Sequence, residues 1–214
     1  MSTNTASAAQ SKLDFTMMYA AHDAFRRDLT RLVAAADGRT GDLRAFRAGW
    51  TTFTYYLTVH HTSEDNVLWP PVRRAAGSDP ERLALLEAMT AEHSALDPLL
   101  EAIDSKLKSG GTARLLADVE ELSKVLTAHL DHEETAGLPL VDAVLSKEDW
   151  ERFGEDQRRQ VGTKGAATFF PWLLDGMPES SERKVLALVP PPIRLLYRKA
   201  WRPKYQKQSP WAQG

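Results

Sequence analysis

Two short stretches hold most of the imidazole in this chain. His60-His61-Thr62-Ser63-Glu64-Asp65 and His129-Leu130-Asp131-His132-Glu133-Glu134 contain four of its six histidines. In each, a histidine stands four residues before a glutamate. An α-helix turns about 100° per residue, so His60 with Glu64, and His129 with Glu133, share a face and lie one turn apart in height. Nitrogen and carboxylate oxygen on a common face can grip a divalent cation. The other two histidines, His22 and His93, stand alone in separate segments. The chain has no cysteine, which excludes disulfides, thiolate metal sites and thiol nucleophiles and leaves N/O donors for any metal chemistry.

Four helices are needed to bring these residues together. Helical spacing runs from Leu13 to about Ala36, where "ADGRTGD" stops it. A second helix starts at Asp42, carries Phe46, Trp50, Phe53, Leu57, Leu68 and Val72 inward, and is kinked or ended by Pro70. The third begins at Ser78-Asp79-Pro80-Glu81 and runs to "SGGT", with Pro98 as a kink. The fourth extends from near Thr112 to about Leu145. Long helices, short connections and hardly any strand-like alternation predict an all-α fold, an up-down-up-down four-helix bundle. The expected layout is a disordered leader over residues 1–11, the bundle over 12–145, and a C-terminal helical extension over 146–214 packed on it, helical from Lys147 to Val161.

Antiparallel neighbours place residues equally far from their shared turn at one height. His22 precedes Arg39 by 17 residues and His60 follows it by 21; His60 precedes Gly77 by 17 and His93 follows it by 16; His93 precedes Gly110 by 17 and His129 follows it by 19. At about 1.5 Å per residue the mismatches are a few ångströms. A lone histidine is more often a satisfied core or surface residue, and a lone H-x-x-x-E more often a solvated pair. Jointly these explanations fail. Burying four imidazoles and two carboxylates uncompensated costs several kcal/mol per charge, and a pair of metal ions relieves that cost. The donors are too many for one tetrahedral zinc and suit two ions bridged by carboxylates.

The ordered set of His22, "HHTSEDNVLWP", His93 and "HLDHEETAGLP" resembles the hemerythrin-like, or HHE cation-binding, family over roughly residues 13–145. The resemblance implies His22, His60, His93 and His129 as terminal ligands, with Glu64 and Glu133 bridging two iron ions beneath an oxo or hydroxo group. One departure stands out: oxygen-carrying hemerythrins have a second histidine on the third helix, a turn from the first, where this chain has Met89 and Asp97. His61 is the candidate to replace it, because the related hemerythrin domain of an iron-sensing ubiquitin-ligase adaptor uses an acidic ligand at that place. His132 could reach the edge of the cluster or act behind it, orienting a carboxylate or relaying protons. Tyr19 and Tyr56, a turn from His22 and His60, are candidate pocket hydroxyls, with aromatic core packing the blander account of both.

Function is therefore expected to be binding or redox processing of dioxygen or a related small molecule, nitric oxide or peroxide, at a non-haem di-iron centre. The alternatives are a di-iron oxidase or oxygenase acting on an organic substrate, or an iron or oxygen sensor signalling through the basic tail. If the chain is an enzyme, the expected class is a di-iron oxidoreductase of oxidase, peroxidase or catalase-like type. A net charge of −2 and a pI near 6.3 give no global basic field, and no nucleic-acid partner is expected. No run approaches the roughly 18 apolar residues of a spanning helix, and a cytoplasmic location is expected. The tail interleaves Arg194, Arg198, Lys199, Arg202, Lys204 and Lys207 with Leu195, Leu196, Tyr197, Trp201 and Tyr205. A helix packing its aromatics on the bundle is the preferred reading over peripheral membrane contact.

Overall fold

In the computed structural model, which describes residues 11–37 and 41–211, the chain is helical almost throughout, with no strand among the described residues. The expected disordered leader falls on residues outside this range, apart from Ser11. Four segments carry the bundle: α1 (Thr16–Ala36), α2 (Leu43–Ser63), α4 (Pro80–Ser109) and α5 (Leu115–His132). Asp42 caps α2 by accepting from the amides of Arg44 and Ala45, and Asp79 caps α4 ahead of Pro80. Gly110 ends α4 in the left-handed region, where a residue without Cβ is unstrained.

Neighbouring helices run in opposite directions. Between α2 and α4, Arg47 reaches the carbonyl of Leu107, Trp50 Nε1 donates to Asp104, and the His61 ring stacks on His93. Between α1 and α5, Arg26 meets Asp131 while His22 meets Glu134. Two apolar clusters result. One gathers Phe25, Leu29, Phe53, Leu57, Leu96 and Leu126; the other gathers Phe15, Leu68, Val72, Leu86, Met89 and Val141. Along the chain each of His22, His60, His93 and His129 lies between residues of the two clusters. The polar level is thus enclosed above and below by dry core, each fully buried Leu or Phe of which contributes about 1.5–3 kcal/mol.

The helices that begin as α2 and α5 do not simply kink. After Ser63 and after His132 the chain opens into π-helical turns, Glu64–Leu68 and Glu133–Gly137, and then resumes as α3 (Trp69–Ala76) and α6 (Leu138–Val144). Pro70 and Pro139 each follow six residues after the first π residue, and a third such turn, Tyr197–Trp201, has Pro203 at the same offset. Proline lacks an N–H and crowds the preceding carbonyls, which favours the wider i→i+5 turn just ahead of it. Proline alone does not dictate it, because α4 continues as α-helix through Pro98.

The extension forms α7 (Lys147–Leu173), α8 (Glu179–Ala187), α9 (Pro191–Leu196) and α10 (Arg202–Gln208). A capping box of Ser146 with Asp149 starts α7, which runs twelve residues past the expected end at Val161 and bends at Gly162, φ 69°. Trp172, Leu173, Val185, Leu186 and Tyr197 join the larger apolar cluster. Asp28 on α1, 1% exposed, accepts from Trp172 Nε1 at 2.7 Å and from Arg27 at 2.9 Å. Replacing Asp28 by alanine strands the buried Trp172 N–H and takes the carboxylate from Arg27, which keeps the Asp175 carbonyl, so we expect about 2 kcal/mol of destabilisation by denaturant unfolding. Easier proteolysis of the segment after α7 should accompany it; an unchanged midpoint would show that this bond fastens nothing.

Candidate metal centre

His22 on α1, His60 at the end of α2, His93 on α4 and His129 on α5 are all buried, as are Glu64 and Glu133, which open the two π-turns. Two groups of potential donor atoms result, each with its members within 4.8 Å of one another: His22, His60, Glu64 and Glu133 in one, and His61, Glu64, His93 and His129 in the other. Glu64 is common to both, whereas Glu133, a second bridge by the resemblance, falls in the first group alone. His22 Nε2 lies 3.2 Å from His60 Nε2, and His93 Nε2 lies 3.2 Å from His129 Nε2. Two ligands at right angles on an ion about 2.1 Å away sit about 3 Å apart, so the spacing matches that of adjacent donors on one cation.

Outer contacts decide which nitrogens face inward. Glu134 takes His22 Nδ1 at 2.8 Å, Asp65 takes His93 Nδ1 at 2.9 Å, and Glu92 takes His129 Nδ1 at 2.9 Å. A proton held on Nδ1 toward a carboxylate leaves Nε2 as the donor lone pair. Arg26 braces this outer ring through Glu134 and Asp131. Glu92 also accepts from His132 Nδ1 at 2.8 Å. Hence His132 stays outside both donor groups and reaches the centre only through Glu92.

The residues fit a cation by what they leave unmet. Both carboxylate oxygens of Glu64, both of Glu133 and His61 Nε2 are buried without a hydrogen-bond partner among the described residues. His60 Nε2 does lie 2.9 Å from Glu64 Oε1, and His22 Nε2 3.2 Å from Glu133 Oε2, but neither contact is aligned as a hydrogen bond. Five orphaned polar atoms in one place would be costly in a finished core, and a cation in each donor group would satisfy all of them between the two.

His61 faces His93 in a near-parallel stack, ring centroids 4.2 Å apart. Tyr19 is exposed, and the Tyr56 hydroxyl bonds to Thr168 while its ring stacks on Trp172 at 4.3 Å. Neither hydroxyl contacts the cluster. Burial pushes the Tyr56 hydroxyl up to about 12. Asp65 lies just outside both donor groups and bonds directly to His93. Glu92, Glu134 and Arg26 were not anticipated, although an acid directly follows each of Glu64 and Glu133 and directly precedes His93.

Behind the first π-turn, Ser63 Oγ donates to Asp156 at 2.9 Å, and Gln160 donates to both Asp156 and Ser63. This cluster, in which Ser63 and Asp156 are buried, ties the start of the turn to α7. Gly137 closes the other turn: a Cβ there would meet Glu133 Cγ at 3.1 Å, so the absent side chain lets the carboxylate stem pack close.

Charge in the metal-free site follows from these neighbours. Burial opposes protonation of His22, but Glu133 and Glu134 outweigh it and raise its pKa to about 9. Burial likewise opposes charge on His93, and Asp65 with Glu64 lifts it to about 10. Burial and the nearby His93 hold His61 well below the usual imidazole value. Burial disfavours a charged Glu64, yet His60, His93 and His61 hold it well below the usual carboxylate range. The two raised imidazoles therefore stabilise the metal-free fold fully below about pH 6.5, a contribution lost as pH climbs through 9–10. Glu64 stabilises above about pH 4.5, a contribution lost as pH falls through its depressed value. The denaturation midpoint of metal-free protein should thus decline between pH 8 and 10. Metal loading at pH 7 should release the protons of His22 and His93 into weakly buffered solution, a release that vanishes above pH 10. A pH-independent release would contradict this charge assignment.

The family model for the hemerythrin HHE cation binding domain matches residues 13–141, a span that takes in every residue of both donor groups. No curated protein and no solved structure matches the chain.

Proposed function

From its membership of the hemerythrin HHE cation-binding family, to which this chain belongs, we propose that the protein holds two iron ions, bridged by an oxo or hydroxo group, in this centre and uses them to bind or redox-process dioxygen or a related small molecule. The observation that carries the reading is Glu64, a buried carboxylate with no hydrogen-bond partner among the described residues, shared by two groups of four donors. His22, His60, Glu64 and Glu133 would hold one ion; His61, Glu64, His93 and His129 would hold the other. Imidazole and carboxylate donors suit iron, and four protein donors leave a six-coordinate ion places for outside ligands. Bound iron supplies one-electron and dioxygen chemistry.

The chain's own residues set the conditions. Glu134, Asp65 and Glu92 hold the Nδ1 protons and aim the Nε2 lone pairs inward. Phe25, packed on His60 with ring centroids 5.3 Å apart, and Met89 close the level against water. Such a dry shell favours a small neutral ligand over an ion. Two surface grooves, one including Val33, Ser123, Thr127 and Ala128 and the other Glu101, Asp104 and Lys108, are lined by no donor residue, so neither supports an organic substrate at this centre.

Iron-loaded protein titrated with dioxygen, nitric oxide and peroxide should change its visible absorption with at least one of them. A loaded protein indifferent to all three would overturn the reading.

A further inference from the structure

The C-terminal helices show a division of labour that the bundle does not explain. Of the 27 basic residues eight lie after Glu182, and none of the 29 acidic residues does. The molecule is therefore strongly polarised, with 19 basic against 29 acidic residues up to Glu182 and only positive side-chain charge beyond it. Tyr197, Trp201 and Tyr205, four residues apart, turn inward: Tyr197 is 2% exposed and belongs to the larger apolar cluster, with Trp201 and Tyr205 packed against it. Arg202 pairs with Glu182, and Arg194 donates to the Val189 carbonyl. Arg198, Lys199, Lys204 and Lys207 are exposed and have no carboxylate partner among the described residues.

Exposed apolar side chains accompany these cations in the same segment. Leu188, Leu195 and Leu196 are 48%, 60% and 46% exposed, half of the large hydrophobic side chains exposed among the described residues, and Pro191 and Pro192 are exposed beside them. We propose that this face, with Leu195 and Leu196 as the inserting residues and Arg198, Lys199 and Lys204 as the headgroup contacts, docks the protein peripherally on an anionic lipid bilayer. The inference is independent of the metal centre.

Two features select a lipid surface over a nucleic acid. Single-stranded nucleic acid is held by aromatic rings on which bases stack, together with cations, and here the aromatic rings are committed to the core. Adjacent exposed leucines gain nothing from a phosphate backbone, whereas cations flanking exposed leucines are what the headgroup boundary of a bilayer rewards. The acidic body would be repelled by the same surface, which orients the molecule with α9 and α10 toward the lipid.

Co-sedimentation of the full chain with vesicles tests this. Binding to phosphatidylcholine vesicles containing phosphatidylglycerol, absent with phosphatidylcholine alone and weakened by added salt, is the expected result. The double variant Lys199→Glu/Lys204→Glu should abolish it, since each cation is worth about five-fold in affinity. Leu195→Ser/Leu196→Ser should weaken it at least ten-fold with the helical circular dichroism unchanged, since all four positions are exposed. No binding to either vesicle, equal binding to both, or leucine variants that bind as well as the parent would each overturn the proposal. So would preferential capture by a short single-stranded RNA that displaces the vesicles.

Discussion

Replacing Glu64 by alanine should weaken metal binding at both halves of the centre at once. A four-ligand site in a small protein binds its metal with about 10–16 kcal/mol, so one ligand is worth about 3 kcal/mol, or about 100-fold in affinity. Glu64 belongs to both donor groups, so the loss applies twice. Competition with a chelator should show the variant surrendering both ions where the parent keeps them. Glu133, found in one group only, sets the contrast: Glu133→Ala should weaken mainly the ion beside His22 and His60. Equal, single-site losses from the two variants would mean that Glu64 does not join the sites.

His61→Ala should cost about 100-fold at the ion beside His93 and His129, whereas His132→Ala should cost about 10-fold. The two histidines look alike in the sequence, each beside a ligand on its helix. They differ in what their nitrogens meet. His61 Nε2 is buried, without a hydrogen-bond partner, and within 4.8 Å of donors on three residues. His132 gives its Nδ1 proton to Glu92, and its side chain is 38% exposed. In metal-free protein, losing His61 should barely move the denaturation midpoint, because an unsatisfied polar group leaves with it. A His132 variant that loses as much metal as the His61 variant would reverse these roles.

The level of the four histidines was legible because a regular helix converts sequence distance into height, and the turns at Gly77 and Gly110 are marked by residues of known preference. The π-turns were not, since hydrophobic spacing does not distinguish an i→i+5 turn from a proline kink. The role of Asp65 was not legible, because an acid beside a ligand looks the same whether it faces solvent or a neighbouring helix. Its repetition as Glu134, immediately after the second glutamate, was the available signal that these acids serve the imidazoles. Glu92 carried only adjacency to His93. In the tail, the exposed face could be separated from the aromatic one only once the burial of Tyr197, Trp201 and Tyr205 was known.

The claim on which the rest depends is that one shared carboxylate joins two ions into a single centre. Anaerobic titration of metal-free protein with ferrous iron, followed by oxidation and electron paramagnetic resonance, tests it most directly. The account predicts uptake that breaks at two equivalents per chain and an oxidised form whose paired spins give little signal. A break at one equivalent, or two equivalents with the full signal of isolated ferric ions, would contradict it.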